Sequence, residues 1–275
     1  MNGLADLHTH TIHSDGLHTP EEIIAAAASA RLRAVGVTDH DSVLALAAAT
    51  KAGERAGIEV IAGVELSVEI ENRDVHLLGY FIDPEDERLL GHLARYQASR
   101  YARAQEIVRR LNAINIDLSW EAVMAQAGAA AVGRPHVAAA LLEEGYVDTY
   151  EDAFQRYLGN ERPCYVKKVS VPPEEAIDAI HAARGLAVLA HPGLYTPAST
   201  IDSLVHAGLD GIETVHPKHS PDQVRHYQRL VNELGLLESG GSDFHGQGRG
   251  ESVVGNPSVP YKIVVEMKRR LGNRA

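Results

Sequence analysis

The sequence predicts an α/β protein whose strands form a barrel, interrupted by one helical insert. Two observations predict the barrel: short apolar runs alternate with helical segments, and a charged or histidine residue follows nearly every run. Alternating strands and helices form parallel sheets, and in a parallel barrel the chemistry lies at the C-terminal ends of the strands. A third observation, a stretch of helical periodicity without strands, predicts the insert. The predicted domains are therefore a barrel of residues 1–83 and 164–275 and a helical insert of residues 84–163.

The opposing interpretation of the same alternation is an open, doubly wound sheet. An open sheet gathers its ligands at one crevice, where the strand order reverses. Here polar residues follow strands all along the chain. With about seven strands, the barrel is the better prediction.

Length and composition limit the classes of protein that fit. Apolar residues make up 45% of the 275 residues, enough for a substantial core. A net charge of −11 argues against a protein that coats nucleic acid by bulk electrostatics. The single cysteine, Cys164, excludes an internal disulfide and is compatible with a reducing compartment. No apolar run approaches the roughly 20 residues of a membrane-spanning helix, so we expect a cytoplasmic protein with no membrane partner.

The first strand is predicted at residues 5–10. Successive side chains of a strand alternate between its faces, so His8 and His10 project from the same side. Taken alone, this pair is as compatible with incidental histidines as with a metal site. Thr19, followed by proline and two acids, then marks the start of an alanine-rich helix over residues 23–30.

The next segments repeat the order of strand, polar residue and helix. Apolar strands are predicted at residues 34–38 and 58–64, with a helix at about residues 43–56 between them. A further strand at residues 75–82 is predicted to pair with residues 66–71 across the turn that joins them.

The insert and the second half of the barrel are predicted from the same signals. Within the insert, helices are predicted over residues 89–111, 120–127 and 137–144. After it, strands are predicted at residues 185–190, 211–215 and 236–239, and helices at residues 173–183, 199–207, 221–234 and 262–274.

Polar residues at the predicted strand ends form a candidate metal centre. Six imidazoles and three carboxylates are too many ligands for one ion and suit two or three divalent ions. Nitrogen and oxygen donors without thiolate favour Mn²⁺, Zn²⁺ or Fe²⁺, and Glu65 is the natural bridge between two ions. The candidates are His8, His10, Asp15, His40, Glu65, His76, His191, Asp243 and His245.

Five motifs in this order resemble those of the polymerase and histidinol phosphatase (PHP) family of metal-dependent phosphoesterases. They are DLHTHTIHSDG at residues 6–16, TDHD at 38–41, GVE at 63–65, AHP at 190–192 and GSDFH at 241–245. The resemblance implies a distorted (β/α)7 barrel with a trinuclear metal centre, for which Mn²⁺ is the first expectation. It assigns His8, His10, Glu65 and Asp243 to one ion, Asp15, His40 and His245 to a second, and Glu65, His76 and His191 to a third.

The activity that the resemblance implies is phosphoester hydrolysis by a metal-activated hydroxide, without a serine or cysteine nucleophile. The residues expected to be catalytic through the ions they hold are Asp15, His40, Glu65, Asp243 and His245. The third ion would neutralise phosphate oxygens.

Four residues outside the cluster are candidate substrate contacts. Arg134 offers a planar fork for two phosphate oxygens and is predicted to lie in a loop, although a surface salt bridge is the alternative. His136 could contact substrate or cap the following helix. Lys167, with Lys168, could meet a second phosphate, although adjacent lysines are more often solvated. His219 follows a strand and could protonate the leaving oxygen, unless a metal-bound water does so.

Segments of the insert resemble a bacterial subgroup of the same family. Its members include 3',5'-nucleotide bisphosphate phosphatases and a relative that trims short RNA from its 5' end. The predicted function is therefore removal of the 3'-phosphate from a 3',5'-nucleotide bisphosphate, with a small nucleotide or short oligonucleotide as the partner and no obligatory protein partner. The alternatives are a 5'-to-3' exonuclease on short RNA or DNA, for which the arginines of the first insert helix could hold phosphates, a non-catalytic metal-binding module, and a deaminase or amide hydrolase on a related barrel.

Overall fold

The computed structural model describes residues 3–70, 73–128, 130–167, 171–193, 196–246 and 252–273. The chain divides into two compact units, the first of residues 1–92 and 170–275 and the second of residues 93–169. The first unit carries the sheet, and the second is helical. That residues 84–163 form a separate insert domain stays a prediction. No helix among the described residues is both long and apolar enough to cross a membrane.

The strands of the first unit form a single eight-stranded sheet with the order β7-β6-β5-β4-β3-β2-β1-β8. The strands are β1 (Leu4–Thr9), β2 (Ala34–Val37), β3 (Glu59–Ile70), β4 (Arg73–Tyr80), β5 (Leu186–Leu189), β6 (Gly211–Val215), β7 (Leu237–Gly240) and β8 (Val259–Pro260). Strands β1 to β3 are parallel to one another, and so are β5 to β7. Strand β4 is antiparallel to both of its neighbours, and β8 is antiparallel to β1.

The sheet nearly closes into a barrel. An isolated parallel bridge between Thr9 and Phe244 joins the end of β1 to the residues that follow β7, and the His10 amide donates to the Phe244 carbonyl over 2.9 Å. Inside the first unit, buried side chains from β1, β5 and the C-terminal residues form one apolar cluster, which includes Leu7, Val188 and Met267. The predicted distorted α/β barrel is confirmed.

The helices alternate with these strands, except in the second unit. They are α1 (Pro20–Ser29), α2 (Leu46–Ala56), α3 (Glu87–Ala113), α4 (Trp120–Ala127), α5 (Arg134–Glu143), α6 (Tyr150–Ala153), α7 (Pro173–Ala182), α8 (Ala198–His206), α9 (Pro221–Leu234) and α10 (Lys262–Gly272). The predicted start of α1 is correct because the Thr19 side chain accepts from the Glu22 amide while the Glu22 carboxylate accepts from the Thr19 amide. Ser220 and Gln223 make the same pair of bonds at α9.

Two strands predicted on either side of Glu65 are one continuous strand, β3. It pairs with β4 along its second half, from Gly63 opposite Tyr80 to Ile70 opposite Arg73. The prediction of a break at Glu65 was wrong, because this charged residue does not end the strand. Strand β3 continues past it as one arm of the hairpin with β4. Residue 71, the last of the predicted strand, and residue 72, the first of the predicted turn, lie outside the described residues.

The second unit has its own apolar core. Buried side chains from α3, α4, α5 and the following segment form this core, among them Leu111, Leu118 and Leu141. Helix α6 continues into a short π-helical turn, Phe154–Leu158. Helix α5 begins at Arg134, three residues before its predicted start, so the prediction that Arg134 lies in a loop was wrong.

Candidate metal centre

Strand β1 brings two imidazoles together inside the barrel. The side chains of His8 and His10 are both fully buried, and their Nε2 atoms lie 3.1 Å apart. The alternation of β1 places them on one side of the strand, as the spacing predicts. Both Nε2 atoms also lie 3.3 Å from Oδ1 of Asp243, which follows β7.

Glu65 lies at the centre of the cluster. Its Oε2 is 3.2 Å from His8 Nε2, 3.1 Å from His10 Nε2 and 3.3 Å from His40 Nδ1. Its Oε1 faces the other side, 2.8 Å from His76 Nδ1 and 3.1 Å from His191 Nε2. Although Glu65 is in the middle of β3, it pairs with His40 beyond the end of β2, and this pairing places it at the C-terminal edge of the barrel.

Asp15 belongs to a second group of donors. The loop after β1 returns its carboxylate to within 3.2 Å of His245 Nε2, 3.8 Å of His10 Nδ1 and 3.9 Å of His40 Nε2. The imidazole rings of His10 and His245 stack, with centroids 4.1 Å apart. The loop is held by Asp39, whose carboxylate accepts from the Thr11 amide and hydroxyl and from the Ser14 hydroxyl.

Two of the cluster residues have strained backbone within three residues of the end of the preceding strand. His191 has a φ of 25° and Asp243 a φ of 49°, backbone angles that residues other than glycine rarely adopt. Such conformations persist where the surroundings fix them, and they concentrate at functional sites.

The donor atoms have the spacing of metal coordination shells. An ion with ligand bonds of about 2.1 Å holds neighbouring donors about 3.0–3.4 Å apart in octahedral or tetrahedral geometry. The separations around Glu65, His8, His10 and Asp243 fall in this range or just beside it. Among the residues that the structure describes, three sets of side chains could each hold an ion: His8, His10, Glu65 and Asp243; His10, Asp15, His40 and His245; and His40, Glu65 and His76. The site therefore fits divalent metal ions.

These sets resemble the predicted assignment, with two differences. The first set is the predicted one, and the second adds His10 to the predicted residues. The third contains His40, where the prediction has His191. His191 nevertheless approaches the same oxygen of Glu65 that faces His76, and the two rings are 5.3 Å apart.

The electrostatics of the cluster favour ionised carboxylates. Burial raises the pKa of Glu65, but the surrounding imidazoles outweigh burial and hold that pKa well below its usual range. The same balance lowers the pKa values of Asp15 and Asp243. Burial lowers the pKa of His10, but its hydrogen bonds to Asp243 and Glu65 and the nearby acids raise that pKa to about 10. Without a cation, the cluster therefore retains protons on imidazoles at neutral pH.

Three buried groups that support the cluster were not among the predicted site residues. Glu213, on β6, accepts from the His191 amide and is hydrogen-bonded to the His8 ring. His216 Nε2 lies 3.2 Å from Asp243 Oδ2. Asp6 accepts from the amides of Ser242, His8 and Gly255 and from the Ser242 hydroxyl. A charged residue within an apolar strand is the signal that marks Asp6 and Glu213.

The predicted substrate contacts lie outside the cluster. In the first unit, His219 already has both ring nitrogens in hydrogen bonds, because Nδ1 donates to the Thr214 carbonyl and Nε2 accepts from the Gly193 amide. In the second unit, the buried His136 accepts from the Gly133 amide, so it caps α5. Arg134 donates to the Leu158 carbonyl, and Lys167 is exposed. Lys168 lies outside the described residues.

Comparison with known proteins agrees with this geometry. The structure superimposes on that of a protein from Bifidobacterium adolescentis described as a metal-dependent phosphoesterase, with a TM-score of 0.90 and 31% identity, covering 97% of this chain and 96% of that one. Together with that likeness, the barrel and its cluster of imidazoles and carboxylates define a metal-dependent phosphoesterase. Residues 6–159 match the PHP domain, and the chain belongs to the PHP domain family.

Among the relatives whose names describe an activity are an exoribonuclease and a phosphatase. The 5'-3' exoribonuclease Rnm of Salmonella typhimurium is 38% identical over 248 residues, which are 87% of this chain and 84% of that protein. The 3',5'-nucleoside bisphosphate phosphatase of Chromobacterium violaceum is 35% identical over 276 residues, 97% of each chain. The predicted family and enzyme class are confirmed.

Proposed function

We propose that this protein removes the 3'-phosphate from a 3',5'-nucleoside bisphosphate, using two or three divalent metal ions, with Mn²⁺ as the first candidate. The observation that carries the proposal is the convergence of imidazole and carboxylate donors on both oxygens of Glu65. The choice of substrate is supported by the bisphosphate phosphatase of C. violaceum, because that match covers 97% of both chains.

In this proposal the ions are held by the nine predicted ligands, His8, His10, Asp15, His40, Glu65, His76, His191, Asp243 and His245. Bound divalent ions would polarise the phosphoryl oxygens and lower the pKa of water. Glu65 offers one oxygen to each side of the cluster, which suits a bridging ligand. The backbone of His191 and Asp243 fixes where these two donors point, and His216 holds the second oxygen of Asp243.

Roles in substrate binding are proposed for the four residues outside the cluster. Arg134 stands at the first position of α5, where the helix N-terminus also favours an anion. Lys167 would add a second positive charge. His136 would act by its place in α5, because its ring nitrogen Nδ1 already accepts from the Gly133 amide. His219 would act by its place beside the turn at Gly193, because both of its ring nitrogens already bond to backbone. A cytoplasmic location is part of this proposal and is favoured by the single free cysteine, Cys164.

A second candidate function is 5'-to-3' exonuclease action on short RNA. It is favoured by the Rnm relative, which is 38% identical. Basic side chains of α3 are also compatible with an oligonucleotide, although several of them already bind within the unit. Arg109 and Arg110 pair with Glu106, and Arg103 and Arg110 donate to the carbonyls of Val166 and Tyr165.

Product analysis separates the two candidates. Protein loaded with Mn²⁺ is incubated with adenosine 3',5'-bisphosphate and, separately, with a 5'-phosphorylated RNA of five nucleotides. The proposed function predicts free phosphate and adenosine 5'-monophosphate from the first substrate and slow or no cleavage of the second. Successive mononucleotides from the RNA, with little phosphate from the bisphosphate, would favour the exonuclease instead.

A pair of histidine variants tests whether the cluster carries the activity. His191→Ala removes an imidazole beside Glu65, and we expect phosphate release to fall about 100-fold or more. His206→Ala is the matched control, because His206 is exposed on α8 and its ring bonds to the carbonyl of Asp202 one turn away, outside the cluster. Equal activity of both variants and wild type, or no turnover of any phosphoester with any divalent metal, would refute the proposal.

A further inference from the structure

Glu213 is a buried carboxylate that contacts two predicted metal ligands, one on β1 and one in the turn after β5. It lies in the middle of β6, and its side chain is fully inaccessible to solvent. Its Oε1 is 3.0 Å from Nδ1 of His8, and its Oε2 is 2.7 Å from the backbone nitrogen of His191. Glu213 thus spans β1 and the turn that follows β5.

The hydrogen-bond partners of Glu213 determine whether each of its side-chain oxygens must accept or donate. The His191 amide can only donate, so Oε2 accepts. The Nε2 atom of His8 faces His10, Glu65 and Asp243, where a metal ligand needs a lone pair. The proton of the neutral His8 ring then belongs on Nδ1, which donates to Oε1. A side chain at this position must therefore accept at both ends, which a carboxylate does and an amide does not.

We propose that Glu213 is a positioning residue of the metal centre, which sets the Nδ1–H tautomer of His8 and fixes the turn that carries His191. The inference rests on the proposed function, because it takes His8 and His191 to be metal ligands. Glu213 does not approach the ions or the substrate in this scheme. It acts through His8 and through the left-handed backbone of His191, whose φ is 25°.

A glutamine variant tests this role at constant size. With Glu213→Gln, the amide NH₂ must face either the His8 Nδ1–H or the His191 N–H, so one of the two contacts becomes donor against donor. The matched control is Glu238→Gln on the neighbouring strand, where a half-buried carboxylate accepts from Thr214 and Gln228 and does not touch the cluster.

The readout is the affinity of the metal-free proteins for Zn²⁺, measured by competition with a chelating indicator. We expect Glu213→Gln to bind Zn²⁺ about 10- to 100-fold more weakly than wild type, and Glu238→Gln to bind it normally. Thermal unfolding of the metal-free variants shows whether both retain the fold. Wild-type affinity in a folded Glu213→Gln would overturn the inference, whereas failure of the wild type itself to bind metal would overturn the proposed function with it.

A second measurement does not depend on the variant folding. Histidine labelled with ¹⁵N in the Zn²⁺-loaded wild type reports which ring nitrogen of His8 carries the proton, and the His8→Gln spectrum assigns the signal. We expect the proton on Nδ1. A proton on Nε2 would refute the role of Glu213, even if Glu213→Gln could not be purified.

Discussion

Substitution of Gly241 by alanine tests the close approach of the β7 end to β1. Gly241 begins the segment that carries Asp243, and a Cβ at this position would lie 2.4 Å from the His8 amide nitrogen and 2.7 Å from Oδ1 of Asp6. Ordinary van der Waals contact begins at 3.4 Å, so the two backbones would have to separate by about 1 Å. Overpacking of this kind costs about 1–3 kcal/mol. For a chain of this size, the midpoint of thermal unfolding should fall by about 2–12 °C.

The assay is thermal unfolding of metal-free Gly241→Ala, followed by titration with Zn²⁺. We also expect weaker metal binding, because the displaced segment separates Asp243 from His8 and His10. Gly91→Ala is the control, since nothing lies within 4 Å of its added Cβ and alanine favours the helix by about 0.5–1 kcal/mol. If Gly241→Ala melts with wild type and binds Zn²⁺ normally, the reasoning about this contact is refuted.

Four further predictions concern the two units. The pKa values of His8 and His10 are raised, that of His10 to about 10, so metal binding at pH 7 should release protons, which calorimetry detects as a heat that depends on the buffer. In the metal-free protein, the raised pKa values mean that the protonated imidazoles stabilise the folded state. This contribution to stability is complete below about pH 6.5 and is lost as the pH rises toward 10. Zn²⁺ at 100 times its dissociation constant should add about 2.7 kcal/mol to the free energy of unfolding, and a chelator should reverse this shift in the melting temperature. His136→Ala should cost about 1 kcal/mol by removing the cap of α5, measured by urea unfolding; no change would mean that the cap is not needed. Arg134→Ala should raise the KM for substrate and leave Zn²⁺ affinity unchanged, whereas loss of metal binding would contradict its assignment to substrate.

Most elements of the fold follow from local signals in the sequence. Helices α4 and α9 and strand β6 have the predicted bounds, because caps, prolines and apolar runs mark their ends. Strand β3 was divided in the prediction because the buried charge of Glu65 interrupts its apolar pattern. That charge is compensated by five imidazoles from four other segments, and compensation over such sequence distances leaves no local signal.

Prediction of the candidate site from the sequence is limited in the same way, to residues that a local pattern marks. His8 and His10 were recognised from the alternation within one strand, and the other candidates from their positions after apolar runs. Glu213 and Asp6 were not, because each lies inside its strand and hydrogen-bonds to the candidate ligand His8, Glu213 at the ring and Asp6 at the backbone amide. For His136 the sequence allows either a substrate contact or a helix cap. The hydrogen bond from the Gly133 amide to its ring, which only the structure shows, identifies it as the cap.

The metal centre and the basic side chains belong to different units of the chain. Every candidate ligand lies in residues 1–92 or 170–275, whereas Arg103, Arg110, Arg134 and Lys167 lie in residues 93–169. The two activities named for the relatives, phosphate release from a nucleoside bisphosphate and stepwise cleavage of RNA, both hydrolyse a phosphoester. One metal centre can therefore serve either reaction. Since the candidate ligands determine which bond is hydrolysed and not the length of the substrate, the products formed from the bisphosphate and from the RNA are what distinguish the two candidate functions.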